Sequence, residues 1–129
     1  MNKKIPLGLK IICYGLIIFS IINLGLAYYH YSLYPEGFES VVALSSAIPI
    51  LIFFVFISIM LLKSKNWARI ILLIYLFVEI PVSIFAFFIY NQGNYSALLF
   101  LKSLVLWIVD GVIIYYLMRH NTKKYFISK

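Results

Sequence analysis

Four long apolar runs dominate the 129-residue chain, at residues 7–29, 40–62, 67–90 and 97–118. Each run is close to the ~20 residues that an α-helix needs to cross the hydrocarbon core of a bilayer. A lipid core offers no water to backbone amide groups, so a spanning segment must satisfy its own hydrogen bonds, and each run is predicted to be a helix. We therefore expect a single all-α, integral membrane domain over residues 1–129.

The connections between the runs are short and contain turn-forming residues. The first holds Pro35, Glu36 and Gly37, the second covers residues 63–66, and the third covers residues 91–94. Connections of this length join antiparallel neighbours, which predicts an up-down-up-down four-helix bundle.

The first run also admits a second interpretation, as a secretory signal peptide with Gly25 and Ala27 before a cleavage point. The run is long for such a signal, and it continues into the aromatic cluster at residues 28–31. Clusters of this kind are typical of the membrane–water interface, which favours a retained helix.

Lysine and arginine are distributed unevenly. They cluster before the first run, around the second connection and after the fourth run, at Lys3, Lys4, Lys10, Lys63, Lys65, Arg69, Arg119, Lys123, Lys124 and Lys129. The first and third connections contain neither residue. The positive-inside rule therefore predicts a multi-pass protein of the inner membrane with both termini in the cytoplasm. The net charge of +7 then suits anionic lipid headgroups at the cytoplasmic face, and not nucleic acid.

Composition excludes several function classes. The chain is 64% hydrophobic and 12% charged, whereas soluble domains are about half apolar and about a quarter charged. Cys13 is the single cysteine, and His30 and His120 lie beyond opposite ends of the apolar runs, so no metal site or cofactor is expected. The sequence contains no zinc-protease, serine-hydrolase or phosphate-binding glycine motif, so we expect no catalytic residues and no enzyme activity.

Two of the four acidic residues, Glu79 and Asp110, fall inside the third and fourth runs. An ionisable group at membrane depth costs ~2.5–3.5 kcal/mol and usually faces a partner on another helix. A rise of about 1.5 Å per residue puts Glu79 near the middle of its run and Lys102 about 7 Å to the outer side of the middle of the fourth. The long lysine stem can cover much of that distance, which predicts a Glu79–Lys102 ion pair.

Polar residues continue along the same face of the third run. Tyr75 and Ser83 lie one turn on either side of Glu79. Tyr75 shares the depth of Asp110 and is expected to hydrogen-bond its carboxyl group, although a tyrosine cannot neutralise the charge. The candidate ion or proton site therefore consists of Glu79, Lys102, Asp110, Tyr75 and Ser83.

Prolines are predicted to bend two of the helices. Pro49 and Pro81 each remove a backbone hydrogen bond, so kinks are expected near the centres of the second and third helices. The carbonyl group of Phe77, released by Pro81, lies half a turn from Glu79.

Across its whole length the chain resembles small four-span bacterial inner-membrane proteins of unknown function. The matching features are residues 65–69 (Lys-Asn-Trp-Ala-Arg), which open the third run, and residues 123–126 (Lys-Lys-Tyr-Phe) in the basic tail. The resemblance implies the fold and the membrane but no activity. Length and span count are also similar to those of small multidrug transporters, which carry a glutamate in the first span, where this chain has none.

These observations leave three hypotheses for the function. The first is a structural or partner-binding membrane protein, which binds another membrane protein or forms a homo-oligomer. The second is a small proton- or cation-coupled transport subunit that uses Glu79 and Asp110. The third is an immunity or envelope-stress protein that binds a membrane-active partner.

Overall fold

The computed structural model describes residues 4–91 and 96–127, and within these ranges the chain is helical apart from short turns. Five helices follow one another: α1 Leu7–Leu33, α2 Phe38–Leu62, α3 Asn66–Asn91, α4 Ala97–Met118 and α5 His120–Ile127. The first four are long and apolar enough to cross a membrane. The all-α class and the four predicted helices are therefore confirmed, and most of the third connection lies outside the described residues.

The chain divides into two compact units, Met1–Lys65 and Asn66–Lys129. We call α1 and α2 the first hairpin, and α3 and α4 the second hairpin, whose unit also contains α5. The single domain over residues 1–129 stays a prediction.

The helices of the first hairpin are antiparallel and pack along their lengths. Near one end, Ser58 Oγ donates a hydrogen bond to the carbonyl oxygen of Cys13, at 3.4 Å. Near the other end, His30 Nδ1 and Ser40 Oγ share a hydrogen bond of 2.9 Å. These two contacts fix the register of α1 against α2.

Buried positions in the first hairpin follow the spacing of packed helices. On α2, Ser40, Ala47, Phe54 and Leu61 are buried at intervals of seven residues. On α1 the buried positions advance in steps of four and three, at Leu9, Cys13, Leu16 and Ser20. This is the repeat by which nearly parallel helix axes interlock their side chains. Several of the buried side chains are small, so the two backbones can approach closely.

Backbone hydrogen bonds terminate α2. Ser64 has a φ of 56°, in the left-handed region. The amide of Ser64 bonds to the carbonyl oxygen of Leu61 and the amide of Lys65 to that of Met60, at 3.0 Å each. This pattern is a Schellman motif, which terminates the helix.

The second hairpin is also antiparallel. Ser83 on α3 bonds to Trp107 on α4, and further along the pair the rings of Phe87 and Phe100 lie 6.1 Å apart. Pro49 and Pro81 both lie inside continuous helices, so the predicted kinks at these residues stay predictions.

Candidate functional site

A groove of about 330 Å³ lies between α3 and α4. Its wall residues recur at steps of three or four, with one adjacent pair on each helix, which places them on one face of α3 and one face of α4. They are Glu79, Ser83, Ala86 and Phe87 from α3, and Ser103, Leu106, Trp107 and Asp110 from α4. The groove thus combines two carboxyl groups, two hydroxyl groups and two aromatic rings.

Glu79 and Asp110 line the same groove, and their carboxyl groups lie close enough to interact electrostatically. Both side chains are half-buried. Two ionised carboxylates can only accept hydrogen bonds and repel each other at close range, so such a pair is stabilised when one of them carries a proton.

The predicted Glu79–Lys102 ion pair is wrong, because Glu79 faces Asp110 in the groove and Lys102 is exposed. The opposite charge of lysine favoured that pairing, although the helical rise already placed Asp110, at about 4 Å, nearer to the depth of Glu79 than Lys102. In the observed register Glu79 faces Asp110, eight residues from Lys102, which corresponds to about 12 Å along the helix axis. A lysine stem does not cover that distance.

Ser83 and Trp107 form the second polar contact of the groove. Trp107 Nε1 donates to Ser83 Oγ at 3.0 Å, and Ser83 Oγ donates in turn to the carbonyl oxygen of Ile80 at 2.9 Å. Phe87 packs against Trp107 with ring centroids 5.8 Å apart and an interplanar angle of 87°. These contacts fix the indole ring in the wall of the groove, one turn from Asp110.

Sequence reasoning assigned no site role to Trp107, although a signal was present. Ser103, Trp107 and Asp110 follow one another at helical spacing on α4. This stripe mirrors the polar stripe of α3 that sequence reasoning did identify, and an indole N–H within a helix pair needs an acceptor.

Tyr75 lies close enough to interact electrostatically with both Glu79 and Asp110. Its side chain is half-buried. The hydrogen bond from its hydroxyl group to Asp110 stays a prediction.

Arg69 joins three helices at the other end of the second hairpin. Its side chain is only 7% exposed. Nη1 donates to the carbonyl oxygen of Leu117 at the end of α4, at 3.2 Å, and Nε donates to Asn66 Oδ1 at 3.0 Å. The guanidinium lies 5.8 Å from the ring centroid of Phe126 on α5. Sequence reasoning counted Arg69 as a flanking surface charge, whereas the structure makes it a buried anchor.

The chemistry of the groove favours a small monovalent ligand. Among the described residues, no group of three or more His, Cys, Asp or Glu side chains could hold a metal ion. Divalent Ca²⁺ takes six to eight oxygen ligands, more than one carboxyl pair supplies. A proton, or a singly charged cation in its place, matches the pair better.

No protein-family model matches the chain, and neither a curated protein nor a solved structure is significantly similar to it. The resemblance to small four-span bacterial inner-membrane proteins therefore stays a prediction. The geometry of the groove and the distribution of charge carry the functional inference.

Proposed function

We propose that the protein is a small multi-pass membrane protein that exchanges a proton, or a monovalent cation in its place, at the Glu79–Asp110 pair. In this role it serves as a subunit of proton- or cation-coupled transport. The supporting observation is the juxtaposition of the two carboxyl groups in the groove of the second hairpin.

The identity of the partner of Glu79 favours transport over a purely structural role. A Glu–Lys pair would neutralise itself and would serve to register two helices. A Glu–Asp pair holds together only while it contains a proton, and loss of that proton leaves two negative charges side by side, which repel. Uptake and release of a proton would therefore change the spacing of α3 and α4. Coupled transport requires such a link between ligand binding and conformation.

The second candidate is a structural or partner-binding membrane protein. The closely packed buried positions of the first hairpin favour it. In that case the carboxyl contact acts only as interhelical glue, which is worth ~0.6 kcal/mol on average in membrane proteins.

Proton flux into proteoliposomes distinguishes these candidates. Purified protein is reconstituted with an internal pH dye, and a potassium diffusion potential drives proton entry. We expect flux in the wild type and none in Asp110→Asn or Glu79→Gln, because an amide keeps the shape of the side chain but cannot release the proton. Glu36→Gln, in the exposed first connection, is the matched control and should retain full flux. Equal flux in all four proteins, or flux no higher than in empty vesicles, would favour the structural role.

The proposed topology places both termini in the cytoplasm of a bacterial cell. It is supported by the basic residues at the two ends and at the second connection, and by their absence from the first and third connections. In a Cys13→Ala background, cysteines at Ser32 and Ser96 should react with an impermeant maleimide in intact cells, whereas a cysteine at Lys124 should not. The opposite labelling pattern would invert the topology.

A further inference from the structure

The α5 helix turns across the end of the second hairpin instead of extending α4. Arg119 ends α4 with extended backbone angles, φ −59° and ψ 140°. Arg69 then contacts both Leu117 and Phe126. If α4 continued straight, these two residues would lie about 13 Å apart along its axis. A single side chain reaches both because α5 folds back over the start of α3.

The buried face of α5 is held against its own unit. Thr122, Tyr125 and Phe126 are buried. Lys124 is exposed on the opposite face of the helix, Lys123 is half-buried, and Arg119 at its start is exposed. We call Arg119, Lys123 and Lys124 the basic cluster.

Acidic residues of the same unit do not neutralise the basic cluster. No acidic residue follows Asp110 in the sequence. Asp110 itself precedes Arg119 by nine residues, or about 13 Å of helix, and it lies in the groove beside Glu79. The basic cluster is therefore available to an anionic partner outside this unit.

The neighbouring aromatic side chains place the basic cluster at the level of lipid headgroups. Trp67, at the start of α3, is 42% exposed and Tyr115, one turn before Arg119, is 72% exposed. Exposed Trp and Tyr side chains at the end of an apolar helix are typical of the membrane–water interface. The basic cluster lies immediately beyond this level, where phosphate groups are found.

We propose that α5 is an interfacial helix and that its basic cluster binds the phosphate groups of anionic phospholipids. The side chains of Arg and Lys are long enough to reach sideways from α5 to headgroups beside the hairpin. This inference rests on the proposed insertion of the second hairpin in a membrane, but not on proton exchange at Glu79 and Asp110.

Native mass spectrometry of the full-length protein tests the proposal. The protein is equilibrated with equal amounts of phosphatidylglycerol and phosphatidylcholine, and the lipids that remain bound are counted. We expect a several-fold preference for phosphatidylglycerol that decreases as ionic strength rises. No preference in the wild type would overturn the proposal and would instead favour an acidic protein as the partner of the basic cluster.

Matched triple variants locate the site. Arg119→Gln/Lys123→Gln/Lys124→Gln should abolish most of the preference. Lys10→Gln/Lys63→Gln/Lys65→Gln removes the same charge from exposed positions of the first unit and should retain it. Equal losses in the two variants would contradict a site on α5.

Two further arms separate headgroup binding from a folding defect and from the binding of a free anion. Arg119→Lys/Lys123→Arg/Lys124→Arg keeps the charge and should keep the preference, so a loss there would point to a folding defect and against headgroup binding. Inorganic phosphate added in excess should not displace the lipid, and displacement would make the ligand a free anion. Proton flux in proteoliposomes is measured on the same variants, and its presence or absence bears only on the carboxyl pair.

Discussion

The two hairpins are built from helices of similar length and hydropathy, yet different interactions hold them together. In the first hairpin, small and apolar side chains are buried at regular helical intervals on both α1 and α2. In the second, Leu117 is the one buried side chain among the described residues of α4. There a groove separates the facing surfaces, and polar contacts bridge it at Glu79–Asp110 and Ser83–Trp107.

The difference between the hairpins lies in the size of the side chains at the helix interface. Lipid tails are as apolar as leucine, so helices associate in a membrane through close packing and hydrogen bonds. The first hairpin uses close packing along its length, and a pocket of about 420 Å³ lies at its turn, where His30, Tyr34 and Ser40 are among the lining residues. The second hairpin carries the large rings of Phe87 and Trp107 in its interface, beside the groove that contains Glu79 and Asp110.

The largest effect is expected from removing packing in the first hairpin. Leu61 is fully buried, whereas Leu106 lines the groove of the second hairpin and is 41% exposed. Leu61→Ala should lower the free energy of unfolding by about 2–5 kcal/mol, because it leaves a cavity. Leu106→Ala should change it by no more than about 0.5 kcal/mol. Reversible unfolding in bicelles measures both, and equal losses would remove the distinction between the hairpins.

Arg69 tests whether polar contacts hold the second unit. Arg69→Met removes charge-assisted hydrogen bonds to Leu117 and Asn66 and the contact with Phe126, at an expected cost of about 1.5–3 kcal/mol. Arg69→Lys should recover little of this, because an ammonium group lacks the planar fork of donors. Arg119→Met, at an exposed position, is the control, with an expected change within about 0.5 kcal/mol. Similar unfolding free energies for Arg69→Met and Arg119→Met would show that the anchor contributes nothing.

A smaller effect is expected at Trp107. Trp107→Phe keeps an aromatic wall but removes the N–H that donates to Ser83, which should cost about 0.5–1.5 kcal/mol in the same unfolding assay. Ser83→Ala should cost a similar amount, and the double variant should cost little more than either single change. Strictly additive losses would mean that the two side chains do not interact.

The sequence was sufficient for features that depend on length and helical spacing. The four long helices follow from apolar runs of the length that crosses a bilayer. The shared face of Tyr75, Glu79 and Ser83 follows from the helical repeat, and the structure directs Glu79 and Ser83 into the groove. Both properties are local, so neither requires knowledge of how one helix packs on another.

The missed features depend on tertiary packing. Whether Glu79 meets Lys102 or Asp110 is decided by the axial offset of α3 against α4, and Lys102 and Asp110 are only eight residues apart. A shift of about one turn, 5.4 Å, moves each side chain to a different neighbour. The position of α5 could not be predicted in this way. In that region the sequence alone indicates only a basic tail, because the apolar pattern of eight residues is too short to predict how a helix packs. The position of α5 depends on contacts with Arg69, a residue that the charge pattern places at the surface.

The most direct test of the proton site is the coupling free energy between Glu79 and Asp110, measured by a double-mutant cycle of unfolding in bicelles. Glu79→Ala, Asp110→Ala and the double variant should give a coupling of at least about 1 kcal/mol, because the two side chains interact directly in the proposed site. The matched cycle of Glu79→Ala with Lys102→Ala should give a coupling within about 0.5 kcal/mol of zero. Strong coupling of Glu79 to Lys102 together with none to Asp110 would contradict the proposed site, because the groove would then hold a neutralised ion pair and no exchangeable proton.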